Sequence, residues 1–433
     1  MKLITDLHVH SKYSRATSKE LSPEGLISAA RVKGIHVIGT GDFTHPKYLA
    51  ELKEKLTPSD WEGFFVLKEN ARRDDFPVFM LTQEISCIYT DRGRGRRNHI
   101  LIAAPDFETV DRIASRLSKI GNLASDGRPI LGMSSEELAK TVFDANTECL
   151  VIPAHIWTPW FSMFGSKSGY YSVKECFGEM SRYIFAVETG LSSDPLMNWR
   201  VPELDSYAIV SHGDAHSGGK VGREGTVYEL ERAGYQNIKE ALKNSARLDK
   251  ENLPKNYIAY TIEFYPEEGK YHYDGHRACD VVFSPEQTKR AGGLCPKCRK
   301  PLTLGVVYRV ETLAGRTEEQ AREYGERHRP PFTKIVPLSE IIANAFGVKS
   351  QTRKTREQYD LLIREFKSEY AALMDVSIDD LARAALPEIA EGVRRVREGL
   401  INVSPGYDGL YGTVSVFNSR DRVNSHGSQA AMF

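Results

Sequence analysis

This chain offers no membrane span: none of its apolar runs approaches the ~18 residues that crossing a bilayer takes. The N-terminus shows no basic-then-apolar leader pattern, so the expectation is a cytoplasmic protein with no membrane partner. Net charge is missing as well, since 58 Lys and Arg balance 58 Asp and Glu. Any nucleic-acid surface must then be a local patch and not a global field. Cysteine is scarce, six residues in 433, and does not read as a disulfide framework. No internal repeat and no low-complexity block is visible. What remains is ordinary globular composition in a chain long enough for two or three domains.

Histidine and carboxylate positions carry the chemistry. Asp6-Leu7-His8-Val9-His10 closes the first predicted strand, residues 2–9, and His-x-His on a strand puts both imidazoles on one face. A helix opening at Ser22-Pro23 and stopping near Gly34, then a strand ending at Asp42, completes a βαβ unit. Further strand ends supply Glu84, His99, His155, Glu188 and the run His212-Gly213-Asp214-Ala215-His216. Alternating strands and helices predict a parallel sheet. Candidate ligands at the C-terminal ends of its strands predict an open or distorted β/α barrel over residues 1–225. Each residue alone reads as an ordinary polar side chain. Together, His8, His10, Glu84, His99, His155, Asp214 and His216 form a mixed imidazole and carboxylate set suited to a multinuclear hydrolytic site. Two metals about 4 Å apart can activate a water for phosphoryl displacement, and Glu84, with two oxygens, is the natural bridge.

The second half changes character. Residues 226–254 read as a linking helix, and 255–305 are rich in Tyr, Gly, His and Cys. His276-x-x-Cys279 and Cys295-x-x-Cys298 have structural-zinc spacing, with His272 as the rival histidine. A redox C-x-x-C is the other reading and lacks a thioredoxin-like context. Residues 306–417 read as mainly helical after a strand near 304–312, and 418–433 as a flexible tail. Lys297, Arg299 and Lys300 make the knuckle tip basic, as a phosphate contact requires. Arg92, Arg94, Arg96 and Arg97 form a glycine-spaced basic loop before His99, either a phosphate grip or a solvated loop. Trp157, Trp160 and Tyr171 flank a glycine-rich loop after His155, either a seat for a flipped base or a hydrophobic lid. Asp194 either positions water or moves a proton, or caps a helix.

Asp6-Leu7-His8-Val9-His10-Ser11, Gly41-Asp42, Gln83-Glu84-Ile85, His99, Pro153-Ala154-His155 and Gly213-Asp214-Ala215-His216 resemble the motifs of the PHP (polymerase and histidinol phosphatase) superfamily. That resemblance implies a distorted (β/α)7-type barrel, phosphoester hydrolysis and two or three divalent metals, with zinc, magnesium and manganese as candidates. Asp42 and Glu188, also at predicted strand ends, complete the candidate ligand set. Phe43 stands where many members have a histidine, which leaves a third metal, and His216 as its ligand, open. The barrel followed by the 269–298 segment, helices and Pro405-Gly406-Tyr407-Asp408-Gly409 resembles the endonuclease Q family. This implies a small zinc-binding domain, a helical domain and a DNA repair nuclease. The resemblance implies nicking 5′ to deaminated bases (hypoxanthine, uracil, xanthine) and abasic sites. Lesion-bearing DNA is the expected partner, with the replication sliding clamp an open second. The alternatives are a histidinol-phosphatase-like phosphoesterase and a nucleic-acid-binding scaffold with a vestigial site.

Overall fold

The computed structural model describes residues 1–69 and 76–418; the tail expected at 418–433 lies outside the described residues from 419 onward. β1 (Lys2–Asp6) leads to α1 (Pro23–Lys33), which Ser22 caps by accepting from Gly25 N–H and Gly34 ends in the left-handed conformation. β2 (Val37–Gly39) then pairs parallel to β1, and β3 (Val78–Asp91) pairs parallel to β2. The predicted βαβ unit is present.

The sheet is mixed, which corrects the parallel expectation. β4 (Arg94–Ala104) returns antiparallel along nearly all of β3. Arg92 and Gly93 both take positive φ, 47° and 76°, the conformation a tight hairpin turn demands. The basic loop is therefore a hairpin tip. β5 (Leu150–Pro153) pairs antiparallel with β4, while β6 (Ala186–Glu188) and β7 (Ala208–Val210) pair parallel with each other.

After β7 the chain does not leave. β8 (Gly225–Glu229) runs antiparallel to β1, β9 (Tyr257–Glu263) antiparallel to β8, and β10 (Phe332–Lys334) parallel to β9. The linking helix expected over 226–254 is thus a strand followed by a helix, Tyr235–Asn244. The residues of β8, Gly-Thr-Val-Tyr-Glu, are β-branched and aromatic at the positions that pack: Val227 and Tyr228 are fully buried.

The strand set curves back on itself. Ile156 N–H donates to Glu188 O at 3.1 Å, linking the end of β5 to β6. Ser211 N–H donates to Thr226 Oγ1 at 2.9 Å, linking the end of β7 to β8. Every strand from β1 to β8 sends side chains into one apolar cluster: Leu3, Val37, Met80, Leu101, Ile152, Ala186, Val210 and Tyr228, with Tyr235, Ile238 and Leu242 of the returning helix packed on it.

Beyond the sheet, hairpin Asp274–His276 with Val281–Phe283 carries the cysteine knuckles. The strand expected near 304–312 is the helix Val306–Leu313, with Val306, Arg309 and Val310 on its buried side, a helical and not a two-residue spacing. Helices Leu338–Phe346, Arg353–Phe366, Ile378–Ala384 and Pro387–Arg397 follow, with Pro387 separating the last two. Among the described residues no helix is long and apolar enough to cross a membrane.

Candidate active site

His8 and His10 follow β1, and the segment after β7 is stitched beside them: His10 N–H donates to Ala215 O at 3.1 Å and Ala215 N–H to His8 O at 3.2 Å. This places Asp214 against both imidazoles. Glu84 projects from β3, His99 from β4, and His155 follows β5 with φ of 29°. The result is two ligand groups sharing one carboxylate. His8, His10, Glu84 and Asp214 offer atoms within 4.8 Å of one another, and so do Glu84, His99 and His155. Glu84 Oε2 faces His10 Nε2 at 3.1 Å and His8 Nε2 at 3.4 Å. Its Oε1 faces His99 Nδ1 at 2.6 Å and His155 Nε2 at 3.2 Å. Glu84 thus turns one oxygen toward each group.

The donor set fits cations. His8 Nδ1 sits 2.9 Å from Glu188 Oε2, so its proton belongs there and its Nε2 presents a lone pair. That buried Nε2 has no hydrogen-bond partner among the described residues and faces two carboxylate oxygens, Glu84 at 3.4 Å and Asp214 at 3.6 Å. A lone pair turned toward two anions is repulsive, so Nε2 takes up positive charge there, a proton in the metal-free site or a metal ion in its place. Burial alone would lower the His8 and His10 pKa values. The surrounding carboxylates, Glu188 and Glu84 at His8 and Asp214 and Asp42 at His10, outweigh it and raise both well above the usual range. His99 goes the other way: burial pushes it down to about 4, although Glu84 opposes the change.

Asp42, Glu188 and His216 lie outside these two groups and beside them. Asp42 Oδ1 lies 3.2 Å from His10 Nδ1, while its Oδ2 accepts from Ser11 N–H at 2.7 Å, Ser11 Oγ–H at 2.6 Å and Ser14 Oγ–H at 2.8 Å. Glu188 holds His8 and, at 2.8 Å, His212 Nδ1. Burial would raise the Glu188 pKa, but His8 and His212 hold it down at about 2. Both carboxylates orient imidazoles, a role the sequence does not separate from ligation. His216 packs its ring 4.6 Å from that of His10. Asp194 caps the helix Pro195–Trp199 through Met197 N–H at 2.9 Å and pairs with Lys334 at 2.8 Å; the capping alternative holds.

Several nucleic-acid expectations need correction. Trp157 is fully buried and donates to Asn198 Oδ1 at 2.8 Å, so it is core. Arg96 is buried, stacks 3.8 Å over Tyr170 and donates to Gly169 O; it ties the glycine-rich loop to the hairpin. Arg92, Arg94 and Arg97 remain exposed. Tyr171 is 56% exposed with the Arg309 guanidinium 4.6 Å over its ring. Trp160 packs edge-on against Tyr271 at 5.4 Å, and both line a cleft of about 510 Å³ with Arg97, Phe161, Lys270 and His272. Phe161 packs 4.8 Å from His99, so the cleft adjoins the ligands.

His276, Cys279, Cys295 and Cys298 converge within 4.8 Å. His272 is not in this group: it is buried and stacks on Tyr273. Desolvation opposes ionisation of the Cys295 thiol, yet the Cys298 and Lys297 N–H groups pull it down to about 6, as a ligand thiolate requires. Lys297, Arg299 and Lys300 are exposed at the tip.

Sequence reasoning missed Arg128, whose Nη1 lies 3.2 Å from Glu84 Oε2, and the part His212 plays. His212 lies in a run already singled out; Arg128 carries no motif.

Residues 337–400 match the family model described as the MJ0043 C-terminal domain. The chain is 31% identical over 267 residues to an uncharacterised protein of Methanocaldococcus jannaschii, of which it spans only 31%. It is 29% identical to the uncharacterised protein YqxK of Bacillus subtilis, over 95% of this chain and 99% of that one. Its fold matches the lesion-specific endonuclease PfuEndoQ of Pyrococcus furiosus with a TM-score of 0.81 and 28% identity, covering 98% of this chain and 99% of that one. A structure of endonuclease Q with a 27-mer duplex bearing an abasic lesion matches equally well, TM-score 0.81 and 28% identity over 97% of this chain and 98% of that one. The resemblance read in the sequence holds across the chain.

Proposed function

We propose, from the premise of an end-to-end likeness to endonuclease Q, that this chain is a metal-dependent DNA repair endonuclease. In this reading it nicks the phosphodiester 5′ to a deaminated base (hypoxanthine, uracil or xanthine) or an abasic site. The observation that carries the reading is Glu84, whose two oxygens face two separate ligand groups. Divalent ions held there, with zinc, magnesium and manganese as candidates, would supply a nucleophilic hydroxide and neutralise phosphate charge. The chain's own residues orient that chemistry. Glu188 and Asp42 fix the His8 and His10 tautomers, so that each Nε2 points inward. The curved strand set supports a distorted (β/α)7 barrel, and the His276, Cys279, Cys295 and Cys298 group supports one structural zinc.

The cleft beside His99 is the proposed seat for an extruded base. Stacking on an aromatic ring is worth ~1–3 kcal/mol per base, comparable to the few kcal/mol that extrusion costs at a weakly paired lesion. Trp160 and Tyr271 offer the rings, and Arg97 and Lys270 offer charge. The test is a nicking assay on duplexes carrying one hypoxanthine, uracil or abasic site, with Mn²⁺ or Mg²⁺ and end mapping. Nicks 5′ to each lesion are expected, and Glu84→Gln should abolish them. Trp160→Ala should slow nicking at base lesions about tenfold or more while sparing the abasic site, where no base needs a seat. Hydrolysis of small phosphomonoesters with intact lesion duplexes would overturn the reading in favour of a small-molecule phosphoesterase.

A further inference from the structure

Arg128 lies between two anchored neighbours. Gly127 N–H donates to Tyr13 O at 3.0 Å, and Pro129 O accepts from Ser86 N–H at 3.1 Å. Gly127 O accepts from Gln83 Nε2 at 2.8 Å. A Cβ at Gly127 would fall 2.2 Å from Asp42 Oδ2 and force that carboxylate to move. The segment is thus threaded tightly past the carboxylate that orients His10, and it delivers the Arg128 guanidinium to Glu84 Oε2 at 3.2 Å. Around that contact the ligand side chains are enclosed: His8, His10 and Glu84 are 0% exposed. Arg128 and Asp214, at 27% and 26%, form the rim.

A fixed cation on the rim of a cation site is unfavourable unless an anion joins them. Cations on Glu84 would leave the guanidinium in a field of like charge and compete for its oxygen. An incoming phosphodiester removes that conflict, and a planar fork of five N–H donors suits two phosphate oxygens. We infer that Arg128 is a further catalytic residue, gripping a non-bridging oxygen of the scissile phosphodiester. This rests on the phosphodiesterase reading above.

Three measurements on the full-length protein test it. Arg128→Ala should lower the single-turnover nicking rate on an abasic duplex ~100-fold at saturating Mn²⁺, the usual loss for one transition-state donor, while DNA affinity by anisotropy stays within about fivefold. Arg128→Lys should recover part of the rate, since it keeps the charge and loses the fork. Mn²⁺ titration without DNA should show binding at least as tight in the Ala variant, because a repelling charge has gone. A nicking rate within about threefold of the parent, or weakened Mn²⁺ binding, would overturn the assignment and leave Arg128 as a structural counter-ion. If the parent nicks no lesion duplex, the function proposed above fails separately. The Arg128 comparison is then made on bis(p-nitrophenyl) phosphate, with Mn²⁺ affinity unaffected by the choice of substrate.

Discussion

Glu224 and Glu263 are fully buried carboxyls on β8's approach and β9's end. Each leaves one oxygen without a hydrogen-bond partner among the described residues. Burial, reinforced at Glu224 by the charge of Glu263, raises the pKa of Glu224, and burial likewise raises Glu263. Ser211 Oγ–H and Thr261 Oγ–H both donate to Glu263 Oε1 and only partly offset that burial. The sign of the linkage follows. Between the usual carboxyl value of 4.5 and the raised native one, the native state keeps a proton that the unfolded state has released. Stability therefore falls as pH climbs through this window and is lowest above it. Glu263→Gln should flatten the fall. Guanidinium midpoints at pH 5.5 and 8.5 should differ less in the variant, by ~1–3 kcal/mol when converted to free energy. Equal differences in parent and variant would place the pH dependence elsewhere. This pair is invisible in the sequence, because neither residue belongs to a motif and only the sheet brings them together.

At the scale of elements, the knuckle hairpin is the one least able to stand alone. Its apolar cluster is Val281, Cys295 and Leu302 with Cys279 and Phe283 against it, too small to offset the entropy of ordering the segment. Cys295→Ser should lose one metal equivalent by elemental analysis and expose residues 274–302 to hydrogen exchange first. Full metal content in that variant would sink the four-ligand group. The knuckles were legible because ligand spacing is a local property of the chain. So was α1, with Ser22 and Gly34 at its ends. The β3–β4 hairpin was not legible: Arg92-Gly93-Arg94-Gly95 reads as a charged loop, and its pairing partner on β3 is an apolar run that suits a parallel strand equally well. The aromatic segment was half legible. Composition marks it, but whether a ring packs inward, as Trp157 does, or lines a cleft, as Trp160 does, depends on contacts with Asn198 and Tyr271 that lie far along the chain.

For the whole molecule, the candidate histidines and carboxylates could be singled out one at a time, but the expectation that each ends a strand fails for Glu84 and His99, which lie inside β3 and β4. The division of these residues into ligands and orienting groups could not be read, since Asp42 and Glu84 differ only in which way they face once the sheet is built. The boundary near residue 225 could not be read either, because β8 and β9 pair with a strand more than two hundred residues upstream or with each other. That return has a practical corollary. The exposed stretch around Asp249–Leu253, which separates Tyr235–Asn244 from β9, is a site where the polypeptide can be severed without severing the sheet. A tryptic cut after Lys250 should yield two fragments that travel together on a sizing column and part only in denaturant, since β9 stays clasped between β8 and β10. Independent elution of the fragments would contradict this. Two genes, one ending and one beginning at that stretch, should then yield polypeptides that are inert apart and assemble into a working site when mixed, a split enzyme whose two pieces report on each other's presence.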